Sequence, residues 1–191
     1  MGRHKAISDD DLLRIAREVF RHHGHTATTR QIAAAAGISE PILYQRFGNK
    51  ENLFFAAMRP AGPDVDGLVG PDDPSVDAKI YLQGVVARMG NHFTDVIPQA
   101  LHLMTHPSFD PHAFARNHPK AHDVLHEALA GRLAMLVRRK LIKTKSTDAL
   151  ARILISLAHD WALSHLLPHG SSANVRGLKN MADVIWEGLA P

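Results

Sequence analysis

The side chains with the most telling chemistry fall within residues 28–53, and they suit recognition of nucleic acid. Gln45 and Arg30 are candidates for contacts with base edges, because an amide pairs with adenine and a guanidinium with guanine. Glu40 either accepts from cytosine or steadies its helix through the dipole. Ile42 either meets a thymine methyl or belongs to the core.

Two short helices joined by a tight turn must carry these groups. Thr28 and Gln31 stand at capping-box spacing, which starts the first helix. Ala33, Ala34, Ala35 and Ala36 favour helix and let a neighbour cross closely. Gly37 supplies a left-handed end, and Ser39 is a suitable N-cap for the second helix. Pro41 fits the first turn, where its missing N–H has no partner to lose. Ile42, Leu43 and Phe47 point inward on this reading, leaving Glu40, Pro41, Tyr44 and Gln45 outward. The result is a helix-turn-helix whose second helix fits a DNA major groove.

The chain has 191 residues, enough for one or two domains with a core that needs no covalent staples. Cysteine is absent, which excludes disulfides, thiolate metal sites and cysteine nucleophiles. The net charge of +3 permits a polyanionic partner but is too small to require one. Arg3 and Lys5 sit on an N-terminal arm that either follows DNA or is merely unstructured, and Arg30, Arg46 and Lys50 flank the proposed reading helix. No secretory signal or membrane span is expected, and the expected location is cytoplasmic.

An amphipathic helix over residues 8–23 precedes the motif, and a further helix over residues 50–59 follows it. This gives a DNA-binding domain at residues 1–59. Residues 60–74 hold four prolines, three glycines and four aspartates and read as a linker. Residues 75–191 read as entirely helical. One helix is expected from Ser75 to about Thr94, and a shorter one over residues 96–105 with Pro98 in its first turn. A connector with a helical turn around residues 112–116 follows, then helices over residues 119–142, 146–167 and from Ser171 or Ser172 onward. The fold class is all-α. The helix around residues 150–167 is apolar on two faces, which calls for a second partner such as another copy of the chain.

His92, His102, His106, His159 and His165 lie among Met89, Phe93, Met104, Phe109 and Trp161. They either line a pocket for a small organic effector or are satisfied core histidines, with Met89, His92, Phe93, His102, Met104 and Trp161 taken as the candidate ligand site. His118, His122 and His126 recur at four-residue spacing and either face solvent or hold a metal. No cysteine or suitably placed carboxylate completes that site, so no metal and no cofactor is expected. Nucleophile elbows, Walker loops and dinucleotide fingerprints are absent.

Thr28-Thr29-Arg30-Gln31-Ile32-Ala33, Ala36-Gly37-Ile38-Ser39-Glu40-Pro41-Ile42-Leu43-Tyr44 and Phe47-Gly48-Asn49-Lys50-Glu51-Asn52-Leu53 together resemble the TetR family of transcriptional repressors. Ala16, Phe20 and Gly24 fit the family's first helix, so the resemblance covers residues 8–58. It implies a DNA-binding domain, an all-helical C-terminal domain with a ligand pocket, and dimerisation through the last two helices. It also implies that Tyr44 and Lys50 are the phosphate-contacting pair, with Thr29 bonding phosphate from the preceding helix. A packed Tyr44 beside a solvated Lys50, and a Thr29 that only caps, are the alternatives. Thr28, Ser39 and Pro41 complete the expected DNA-binding set with Arg30, Glu40 and Gln45.

The leading expectation is a homodimeric repressor that binds a palindromic operator in double-stranded DNA and is released by a small-molecule effector. A helical enzyme would need a catalytic constellation that the sequence lacks. A DNA-binding adaptor without an effector would use the C-terminal helices for assembly alone.

Overall fold

A computed structural model describes residues 7–60, 62–73, 75–117, 121–166 and 175–191, which form helices and connections with no strand. The helices are α1 (Asp9–His23), α2 (Thr29–Ala36), α3 (Glu40–Phe47), α4 (Lys50–Met58), α5 (Val65–Val69), α6 (Ala78–Met104), α7 (Pro111–Asn117), α8 (Ala121–Arg138), α9 (Thr147–Leu166) and α10 (Val175–Leu189). No helix among the described residues is long and apolar enough to cross a membrane. The chain divides into two compact units. One comprises Met1–Pro60 with Gln99–Pro111, the other Ala61–Pro98 with His112–Pro191.

In the first unit each helix is started by its local sequence. Ser8 accepts from the Asp11 amide, and Asp9, Asp10 and Asp11 occupy the first turn of α1, where anions suit the dipole. The Thr28–Gln31 capping box forms in both directions at 3.2 and 2.8 Å. Gly37 ends α2 at φ 66°, a left-handed conformation that a side chain would resist. Asn49 caps α4 through the Asn52 amide at 2.7 Å. Leu12, Ala16, Phe20, Ile32, Leu43, Leu53, Phe54, Ala57 and Met58 are buried, and Phe20 meets Phe54 edge-on at 5.0 Å. This apolar centre fixes the crossing of α2 and α3.

Ser39 occupies the N-cap position of α3, yet its side chain makes no capping bond. The cause is local. Pro41 has no N–H to offer, and the Ile42 amide bonds the Ser39 backbone oxygen at 3.1 Å instead.

The second unit is built on a core that includes Leu82, Val86, Met89, Leu129, Leu133, Leu154, Ala158, Trp161, Leu178 and Ala182. Three expectations about its elements change. The linker stretch contains α5, capped by Asp64 through the Gly67 amide at 3.0 Å. The two helices expected over residues 75–105 are one, and α6 continues through Pro98. Proline removes one intrahelical bond, but Ile97 and Leu103 on either side are buried, and their burial outweighs that loss. Finally, α8 stops at Arg138 rather than running to Ile142, because Lys140 turns left-handed at φ 58° and the Leu141 amide returns to Leu136 O at 3.0 Å. Arg3, Lys5, His118 and the stretch 167–174, with the expected start of the last helix at Ser171 or Ser172, lie outside the described residues.

Candidate nucleic-acid interface

The helix-turn-helix presents one polar face. Pro41, Tyr44 and Gln45 on α3 are exposed, as are Thr28, Arg30 and Ser39 around α2 and the turn. The side chains of Arg30, Gln45 and Ser39 have no hydrogen-bond partner among the described residues, so these groups are available to a ligand. Tyr44 is 46% exposed although its ring is apolar over most of its area.

Behind this face lies a chain of hydrogen bonds. Among the described residues Thr29 is the one buried polar side chain, at 9% exposed, and its hydroxyl donates to Glu40 Oε2 at 2.7 Å. Tyr44 Oη lies 3.2 Å from the same Thr29 oxygen. A carboxylate only accepts and a hydroxyl has a single proton, so Tyr44 must donate to Thr29. Glu40 therefore ties α3 to α2 through Thr29, a third role beside the two considered from sequence.

Lys50 begins α4 and donates to the carbonyl of His25 at 2.6 Å. It borders a surface recess of about 420 Å³ lined by His25, Asn49, Lys50, Glu51, Phe54 and His106. The His106 ring in its wall is tilted 31° to Phe54 at 4.6 Å and meets Phe55 edge-on at 5.0 Å. Arg46 is turned away from the reading face, donating to Ile7 O at 2.8 Å and pairing with Asp9 at 3.1 Å. Sequence reasoning missed that anchor, since nothing local distinguishes a guanidinium that reaches back to α1 from one that faces outward.

The candidate effector residues are distributed over both units. Met89, His92, Phe93 and Trp161 belong to the second, whereas His102 and Met104 belong to the first, where Met104 is 60% exposed. Met89 and Trp161 are buried in the second core, and the Trp161 indole N–H has no hydrogen-bond partner there. Phe93 meets His159 edge-on at 5.4 Å, and Trp161 lies against His165 at 4.0 Å. Burial lowers the His92 pKa, against an opposing pull from Asp95. Of the histidine row on α8, the described side chain is that of His126, which sits 3.3 Å from Asp148 Oδ1. No group of three potential ligands able to hold a metal occurs among the described residues.

Residues 12–57 match the family described as "Bacterial regulatory proteins, tetR family". The chain is 42% identical over 53 residues to the HTH-type transcriptional repressor AcnR of Corynebacterium glutamicum, a match covering 27% of this chain and 28% of that relative. Solved structures are similar in fold along most of the chain. A putative TetR-family regulator from Mesorhizobium loti has a TM-score of 0.67 at 18% identity, covering 100% of both chains. A putative transcriptional regulator from Saccharomonospora viridis in complex with choline has a TM-score of 0.70 at 16% identity, covering 95% of this chain and 97% of that one. PfmR from Thermus thermophilus has a TM-score of 0.62 at 21% identity, covering 93% and 97%. Residues 12–57 thus match the helix-turn-helix domain of the tetR family of bacterial regulatory proteins, and along most of its length the chain shares the fold of solved structures that include TetR-family regulators.

Proposed function

We propose that the protein is a cytoplasmic transcriptional repressor that binds a palindromic DNA operator as a homodimer and leaves it when a small-molecule effector binds. One observation carries this reading. Arg30 of α2 and Gln45 of α3 are exposed and unengaged on a face whose backbone is locked by the capping box and the Thr29–Glu40 bond. Such a rigid face with free amide and guanidinium groups suits base-edge recognition in a major groove. Tyr44, Thr29 and Lys50 are the phosphate donors on this reading.

Pairing through the last two helices is supported by Ile153 on α9 with Met181 and Val184 on α10, which are large apolar side chains left exposed. Effector control is supported by the aromatic and histidine cluster at Met89, His92, Phe93 and Trp161, where an indole donor lacks a partner. The effector would act by preferring a dimer geometry whose two reading helices miss successive grooves, about 34–36 Å apart. Selecting bound duplexes from a random pool with the full chain tests the proposal. Recovery of a two-fold symmetric sequence is expected, and a pool that never enriches would overturn the reading.

A further inference from the structure

The recess beside Lys50 lies wholly within the first unit and is not needed for the reading of bases. Its volume of about 420 Å³ falls in the range of small-molecule sites, about 300–1,000 Å³. Three of the six residues that line it, His25, Phe54 and His106, bring rings, so its walls suit a flat aromatic body. Phe54 is buried, and His106 lies against both Phe54 and Phe55, which holds that wall in place.

The polar groups around these rings are largely unused. The Ser108 amide donates to His106 Nδ1 at 3.2 Å, so the neutral ring carries its proton on Nε2. No hydrogen bond among the described residues takes that proton. Lys50 spends one of its three ammonium protons on the His25 carbonyl at 2.6 Å, which holds the charge at the recess and leaves two. Asn49 accepts from the Asn52 amide through Oδ1 at 2.7 Å, and its Nδ2 remains a donor. Glu51 is the one acid of the lining, and it is exposed. Donors and a fixed cation beside an aromatic wall call for a ring that carries an anionic acceptor.

We propose that this recess binds a small aromatic carboxylate. The ligand ring lies against Phe54 and His106, and its carboxylate accepts from Lys50 and from His106 Nε2. Glu51 opposes the ligand's charge and weakens the site. Lys50 is also the phosphate donor of the proposed operator contact, so ligand and DNA draw on the same protons and exclude each other. That consequence rests on the operator-binding reading, whereas occupancy of the recess does not. The site is separate from the cluster at Met89, His92, Phe93 and Trp161, and it acts on a DNA contact directly.

The test is calorimetric titration of the full chain with sodium benzoate, sodium acetate and benzamide at constant ionic strength. Benzoate is expected to bind with a Kd of about 1 mM or below, and about fivefold or more tighter than acetate, which lacks the ring, or benzamide, which lacks the charge. His106→Phe keeps a ring against Phe54 and Phe55 but loses the N–H, and should weaken benzoate by about tenfold. Lys50→Met leaves the aromatic wall intact and should lower benzoate to the affinity of benzamide. Glu51→Gln should tighten benzoate by about twofold or more. In DNA titrations benzoate should weaken wild-type binding, while His106→Phe binds DNA normally in chloride and responds about tenfold less to benzoate. No binding of benzoate, binding undiminished in both Lys50→Met and His106→Phe, or binding lost in Phe93→Ala instead would overturn the site. Equal affinity for acetate would overturn the aromatic class. Benzoate binding as expected by a chain that enriches no duplex would overturn the operator-binding reading and leave the site standing.

Discussion

Thr29 Oγ1 donates to Glu40 Oε2 across 2.7 Å, which binds the acidic residue of α3 to α2 rather than leaving it for a base. Tyr44 feeds the same relay, so a phosphate arriving there must draw its proton out of a chain that ends on a negative charge. Replacing Glu40 by Gln retains an acceptor for Thr29 and removes that charge. One unit charge near a phosphate at the surface is worth about 1 kcal/mol, roughly fivefold in affinity. Glu40→Gln is therefore expected to tighten binding to specific and scrambled duplexes alike, with the gain fading as salt rises. Titrations at two salt concentrations would read this, and unchanged affinity at low salt would count against it.

Lys50 and Gln45 should separate by kind of effect. Lys50 is exposed enough to leave the His25 carbonyl for a phosphate at little cost to stability. Lys50→Ala should weaken all sequences together and lower the salt slope by about 1. Gln45 has no internal partner to lose, so Gln45→Ala should relax preference at one base position, by about 1–3 kcal/mol. Equal and salt-independent losses for both variants would show that neither has the role given to it.

Local chemistry explains which features were legible in the sequence. The Thr28–Gln31 box, the left-handed Gly37 and the Asp-rich start of α1 involve neighbours within a turn, and each appears as read. The course of α6 through Pro98 was not readable, because the burial of Ile97 and Leu103 that offsets the proline has no local signal in the sequence. The end of α8 is made by a left-handed lysine, where glycine is the usual signal. At the interface the residue types were legible, but the partners of Glu40 and Arg46 were not. Glu40 is eleven residues from Thr29, and Arg46 is 39 residues from Ile7.

Tyr81 gives a pH dependence with a definite sign. Burial raises its pKa from the usual 10.0 to about 12, with Arg132 and Arg88 pulling it down and Asp72 pushing it up. Below pH 10 both folded and unfolded chains keep the proton, and the contribution to stability is complete. Between pH 10 and 12 the unfolded chain ionises first, so stability is lost as pH rises. Wild type should lose up to roughly 2 kcal/mol more than Tyr81→Phe across that window, after allowance for partial exposure. Urea midpoints of the two proteins along a pH series measure the difference, and parallel curves would refute it.

Gly90 and Gly131 are both helical glycines, and the usual expectation is that alanine stabilises either by about 1 kcal/mol. Their surroundings divide them. A Cβ on Gly90 would lie 2.8 Å from Leu178 Cδ2 and 3.0 Å from Trp161 Cε3, whereas one on Gly131 would meet nothing within 4 Å. Neither neighbour of Gly90 can retreat easily, because Leu178 is fully packed and Trp161 is backed by the His165 ring at 4.0 Å. Overpacking of this kind costs about 1–3 kcal/mol, more than the gain in helix propensity. Gly90→Ala is thus expected to lower the Tm by several degrees, and Gly131→Ala to raise it or leave it unchanged. Calorimetry on the two variants decides the matter. A Gly90→Ala protein as stable as wild type would mean that α6, α9 and α10 are not packed as closely as the glycine implies.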